Sequence, residues 1–259
     1  MDFQNIRLDI SPAAVATITL DRPDSLNALS RGMIEEMRIA LGSLADSGAR
    51  CLLMTGAGRA FSSGADLVAG GGLPDDVGAA LESHLNPLIA DVFDLPIPVV
   101  AAVRGPCAGA GCSLALAADI VLAGRSAYFL QAFINIGLVP DAGATWLLPR
   151  LAGRARAMEM MMLGERIPAE QAADWGMISR MVEDEDLETD AIALAVRLAQ
   201  GPTVAYGLLR KLARDSEQAP LSDALAAERR AQTIAGRTGD FKSGVMAFIQ
   251  KRPPAFDGK

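Results

Sequence analysis

Residues 14–20 (AVATITL), 51–55 (CLLMT), 97–103 (IPVVAAV) and 119–123 (DIVLA) are short apolar runs separated by segments with helical spacing of apolar residues. This alternation constrains the fold more than any other feature of the chain. Sustained through about residue 125, it predicts an α/β architecture with crossover connections and a parallel sheet. The first helix is well punctuated: Ser30 can cap it, Met33, Ile34, Met37, Leu41 and Leu44 share its apolar face, and Gly48 stops it. Further helices are expected over 76–94 and, in small residues, over 109–118. From Ala144 onward the pattern is helical, with segments at 154–163, 168–175, 187–200, 202–214, 221–234 and 240–251, and 177–182 as the only late strand.

Composition narrows the class. With 259 residues, 51% of them hydrophobic, the chain can bury a sizeable core. Lys and Arg total 24 against 31 Asp and Glu, a net charge of -7, so there is no basic footprint and nucleic acid is not an expected partner. The longest uncharged stretch, 126–140, falls short of the ~18 residues a membrane helix needs. The start, MDFQNIRLDI, has neither a signal nor a transit pattern, so the expectation is a cytoplasmic protein without a membrane partner. Cys51, Cys107 and Cys112 form no Cys-x-x-Cys pair and read as reduced packing residues. The single histidine, His84, leaves no imidazole cluster for a metal, and none is expected.

Four segments invite chemistry. Gly109-Ala110-Gly111 follows a strand and opens a helix, as a dinucleotide fingerprint would, but Leu114 occupies the third glycine position. Gly111-Cys112-Ser113-Leu114-Ala115 imitates a nucleophile elbow, yet His84 precedes the serine where such hydrolases place it after. Ser62-Ser63-Gly64-Ala65-Asp66 and Gly109-Ala110-Gly111 both offer backbone N–H groups without bulky side chains; they either form an oxyanion hole or only permit close packing. Asp141, in GLVPDAGA, caps a helix near Ala144 or, with Phe129, Phe133, Ile134, Ile136, Leu138, Val139 and Trp146 around it, faces an apolar cavity that makes it a proton carrier.

Taken together, AFSSGAD (60–66), GPCAGAGCSLALAADIVLA (105–123), GLVPDAGATWLLPRLAG (137–153) and GERIPAEQAADWGMI (164–178) resemble the enoyl-CoA hydratase/isomerase family, the crotonases. The resemblance extends from DRPDSLNALS at 21–30 to FKSGVMAFIQKRPPAF at 241–256. NPLIADVF (86–93), 137–160 and 169–178 look most like its ring-1,2-epoxyphenylacetyl-CoA isomerase branch. The implied fold is an α/β, crotonase-like spiral of strand-strand-helix turns over 1–195, carrying the acyl-CoA site. A C-terminal helical trimerisation region over 196–259 is implied to give a homotrimer or a dimer of trimers.

The resemblance assigns the oxyanion hole to the N–H groups of Ala65 and Ala110, with Gly109 beside the latter. Ser113 and Phe133 stand where hydratases carry two glutamates, and neither can serve as a base at neutral pH. Asp141 stands where isomerase members carry a functional aspartate. The implied reaction is therefore double-bond migration, or rearrangement of an epoxidised ring, in a CoA thioester by one acid; the alternatives are a weak hydratase and a non-catalytic acyl-CoA binder. No cofactor is implied, since the CoA thioester is the substrate. CoA is implied to lie against the backbone of Leu26 and of Ser62, Gly64, Asp66 and Leu67, with Phe248 and Lys251 reaching a neighbouring subunit's nucleotide. Residues 70–78 (GGGLPDDVG) are implied to belong to a lid, whose acids Asp75, Asp76 and Glu82 read as surface residues.

Overall fold

In the computed structural model, which describes residues 2–66 and 76–259, all four apolar runs become strands. The larger sheet contains, side by side, β1 (Ile6–Ile10), β2 (Val15–Leu20), β3 (Cys51–Gly56), β4 (Val99–Val103), β6 (Ile120–Gly124) and β9 (Arg180–Val182). From β2 to β9 every pairing is parallel; β1 is antiparallel to β2, with Leu8 opposite Ile18. A smaller sheet joins β5 (Pro106–Ala108), β7 (Tyr128–Leu130) and β8 (Arg166–Pro168).

Burial on both faces explains why the parallel strands read as unbroken apolar runs. Alternate residues go to opposite sides. Leu52, Met54 and Ala101 share one core with Met33, Met37 and Leu41 of α1 (Arg31–Ser47). Cys51, Leu53, Val100 and Leu122 meet Ala191, Ala195 and Ala199 of α7 (Leu187–Ala199). The division expected after residue 195 lies within α7, whose buried alanine row runs on past it. Caps behave as the sequence indicates: Ser30 Oγ accepts from Met33 N at 3.2 Å, and Gly48 ends α1 at φ 77°. The three cysteines are free and buried, and burial pushes the Cys51 thiol up to about 12.

In the middle of the spiral, two successive turns each leave one strand in the large sheet and the next in the small one. β4 and β5 lead into α3 (Gly109–Leu116); β6 and β7 lead into a 3-10 turn at Ala132–Ile136 and then α4 (Ala144–Ala152). After α5 (Arg154–Leu163), β8 and α6 (Ala169–Asp174) complete the last turn before β9. Two expectations need correction. The chain opens with β1, not with the 14–20 strand, and 177–182 is not the only late strand, because Arg166–Pro168 pairs with β7. β5, β7 and β8 have three residues each, too few for an alternation to register. The 76–94 helix, α2, is composite: Val77–Ala80, a π-helical turn at Leu81–Leu85, and Asn86–Asp94.

The chain closes with helices α8 (Thr203–Ser216), α9 (Leu221–Ala235) and α10 (Gly239–Ile249). Arg210 anchors α8, with Nε 2.7 Å from the Asp119 carboxylate and its nitrogens donating to the carbonyls of Leu95 and Val92. Leu209, Leu221, Leu225, Phe241, Phe248 and Ile249 remain exposed on these helices. Among the described residues no single helix is long and apolar enough to cross a membrane.

Candidate active site

The 62–66 loop is stitched down on both sides. Ser62 N donates to Pro106 O at 3.2 Å and Ala108 N donates to Ser62 O at 2.9 Å, extending β5. Across the loop, Leu29 N donates to Gly64 O at 2.8 Å and Asp66 N to Leu29 O at 3.2 Å. In such a parallel bridge the residue between the bonded groups turns its own N–H the other way, so the Ala65 N–H is left over. The Ala110 N–H is left over for a different reason: it lies in the first turn of α3, where helical donors have no intrahelical acceptor. Among the described residues neither N–H has an acceptor.

Glycines bring the two donors together. A Cβ on Gly64, at φ 96°, would sit 2.9 Å from Ala108 O, and one on Gly111 would sit 2.5 Å from the Ser62 side chain. A Cβ on Gly109 would meet Gly64 Cα at 3.7 Å and the Phe133 ring at 3.6 Å. Side chains the sequence reading did not single out hold the loop. Asn27, fully buried, donates to Ala57 O and Ala60 O and accepts from Arg22 N. Ser62 Oγ donates to Asn27 O at 2.8 Å and accepts from Gly64 N at 3.2 Å. Arg22 Nη1 lies 2.7 Å from both Asp66 Oδ2 and Ala28 O. A local signal for Asn27 exists in its position four residues after Pro23, in a turn where it and Leu26 adopt positive φ; no local signal marks the pairing of Arg22 with a residue 44 positions away.

Asp141 meets α3 through Ser113. Among the described residues its Oδ1 is buried without a hydrogen-bond partner, and burial raises its pKa from 3.8 to about 6. Its main-chain carbonyl accepts from Ser113 Oγ at 3.2 Å and from Ala144 N at 2.9 Å. The expected apolar surroundings are only partly present. Phe129 and Phe133 are buried, whereas Ile134, Ile136 and Val139 point outward and are exposed; the 3-10 turn at Ala132–Ile136 rotates its third and fifth residues away from the core. Gln131, at the start of that turn, is fully buried, and among the described residues neither end of its carboxamide is hydrogen-bonded.

The other candidates fall out as follows. Leu26 and Ser62 have their backbone groups engaged, Leu26 by Pro23 and Ser63, Ser62 by β5. The Asp66 carboxylate turns inward to Arg22. Ser113 is fully buried, and Phe133 covers Gly109. Phe248 is 86% exposed on α10 and lines a cavity of about 540 Å3 with Val204, Phe241 and Phe256. Lys251 follows that helix at φ 52°. Leu67 and Asp75, with the 67–75 part of the lid, lie outside the described residues. Asp76 caps α2, accepting from Ala79 N at 3.1 Å, and Glu82 is exposed. His84 Nδ1 is 2.6 Å from Ser83 Oγ, and its Nε2 lies 3.8 Å from Glu35, on the helix surface. Two backbone N–H donors on neighbouring segments, free among the described residues, and one half-buried carboxylate can stabilise an oxyanion and move a proton.

The chain has relatives among known proteins. The model of the enoyl-CoA hydratase/isomerase family matches residues 11–259. The 1,2-epoxyphenylacetyl-CoA isomerase of Escherichia coli (strain K12) is 47% identical over 250 residues, 95% of each chain. A Rhodobacter capsulatus protein named "Probable enoyl-CoA hydratase" is 46% identical over 259 residues, the whole of both chains. The crystal structure of an enoyl-CoA hydratase from Bacillus anthracis matches with a TM-score of 0.94 at 33% identity, over 99% of this chain and 100% of that one.

Proposed function

The chain belongs to the enoyl-CoA hydratase/isomerase family, and from that premise we propose that it is an isomerase which moves a double bond, or rearranges an epoxidised ring, in a CoA thioester. One observation carries the choice of isomerase. Asp141 offers a buried carboxylate oxygen with no partner among the described residues and a pKa of about 6, while the family resemblance puts Ser113 and Phe133 at the positions of the two hydratase glutamates.

The reaction needs one base and an anion hole. Asp141 takes a proton from the carbon between the thioester and the double bond of a 3-enoyl ester. The electron pair of that C–H bond delocalises onto the thioester oxygen, giving a dienolate held by the N–H groups of Ala65 and Ala110. The protonated Asp141 returns the proton at the far end of the conjugated system, leaving the 2-enoyl ester and an unchanged enzyme. General base catalysis of this kind contributes about 10²–10⁴-fold, and each oxyanion donor about 3–4 kcal/mol. A pKa of about 6 suits both transfers, because the group is mostly ionised at neutral pH yet basic enough to accept a proton.

In this reading CoA runs along Leu26 and the loop bearing Gly64 and Asp66. The exposed apolar residues of α8–α10 assemble a homotrimer, in which Phe248 and Lys251 meet a neighbour's nucleotide. The catalytic test is incubation of wild type and Asp141→Asn with 3-enoyl-CoA and 2-enoyl-CoA, followed by absorbance for conjugation and mass for added water. Conjugation without hydration, lost in the variant, is expected. Water addition would establish the hydratase reading that the Rhodobacter capsulatus relative's name suggests, and tight CoA-ester binding without turnover would establish a non-catalytic binder.

A further inference from the structure

We propose that Ser113, standing where hydratases carry a glutamate, is a positioning residue that holds the Asp141 base over the helix carrying Ala110; the assignment rests on the isomerase reading above. Ser113 lies three residues after Ala110 in α3, so both sit on one face of the helix. Its side chain is fully buried, and Oγ donates to the main-chain carbonyl of Asp141 at 3.2 Å. Among the described residues this is the one hydrogen bond that ties α3 to the turn at 137–143.

That turn requires holding. Asp141 is followed by Ala142 at φ 51° and Gly143 at φ 80°, two consecutive left-handed residues, the first with a side chain. Alanine is disfavoured there, because its Cβ crowds the backbone, and such a conformation persists only where the surroundings impose it. Two hydrogen bonds to the Asp141 carbonyl do so: Ala144 N from within the turn, and Ser113 Oγ from the oxyanion helix. The hydroxyl thereby makes one rigid body of proton carrier and anion hole. It touches neither the carboxylate nor the Ala110 N–H, so it acts on rate through geometry alone.

The experiment compares Ser113→Ala, Ser113→Thr, Asp141→Asn and the Ser113→Ala/Asp141→Asn double variant with wild type, measuring kcat and KM with 3-enoyl-CoA. Misplacing a reacting group by about 1 Å costs on the order of 100-fold, so Ser113→Ala is expected to lower kcat about 10- to 100-fold with KM within about twofold. Ser113→Thr, which keeps the hydroxyl, should recover most of the loss, and Ser113→Ala should cost nothing further once Asp141→Asn is present. A Ser113→Ala enzyme with wild-type kcat, or one whose KM rises in step with the loss of kcat, overturns the assignment while leaving the isomerase reading intact. A fully active Asp141→Asn enzyme, or a wild type inert toward the ester, overturns both.

Discussion

Replacing Asp141 by Asn should make the protein more stable and nearly inactive at the same time. Burial raises this carboxyl from 3.8 to about 6, so the folded protein resists its ionisation. That difference corresponds to about 3 kcal/mol at about 1.4 kcal/mol per pH unit, and partial exposure of the group trims this to roughly 1–2 kcal/mol. Between pH 4 and 6 the native state binds a proton that the unfolded state has released, so stability falls as pH rises through that window and is level above it. Asparagine removes the ionisation. The variant should therefore melt roughly 2–6 °C above wild type at pH 8, and the gain should vanish as pH falls below 4. Calorimetric melts of both proteins at pH 4, 6 and 8, beside kcat at pH 8, provide the test. A gain independent of pH, or a loss of stability at pH 8, would refute the claim that the charge is held at a cost. The wild-type kcat should fall below about pH 6 as Asp141 takes up its proton.

Three other perturbations follow from the same geometry. Gly64→Ala places a Cβ 2.9 Å from Ala108 O at φ 96°; it should displace the Ala65 N–H and lower kcat about 10²–10³-fold, and unchanged kcat would separate that loop from catalysis. Arg22→Met breaks a half-buried ion pair with Asp66 and should cost about 1–3 kcal/mol, read as a lowered midpoint in urea. Gln131→Met replaces a fully buried carboxamide with no partner among the described residues by an apolar chain of similar length and should be neutral or raise the melting temperature; a loss of several degrees would mean the amide is paired in solution.

Much of the fold is legible in the chain because its determinants are local. The runs at 14–20, 51–55, 97–103 and 119–123 are apolar since both faces of the central strands are covered, and Ser30 and Gly48 bound α1 by chemistry contained in a few neighbouring residues. The small-residue segments at 62–66 and 109–111 and the lone acid at 141 are equally visible. The three-residue strands are not, because each is stabilised by its partners and not by its own pattern.

The site divides in the same way. Sequence determines which groups are available: glycines that allow backbone approach, a carboxylate, and no glutamate at Ser113 or Phe133. Tertiary structure decides how they act. Asn27 and Ser62, 35 positions apart, meet to hold the loop that carries one N–H donor, and Ile134 and Val139 turn outward although their hydrophobicity suggests a pocket lining. Ser113 reaches the Asp141 carbonyl 28 residues away. Hydrophobicity and propensity act along the chain and can be read from it, whereas a pKa of about 6, or a hydroxyl that braces a turn, depends on which distant groups exclude water and meet at hydrogen-bond distance.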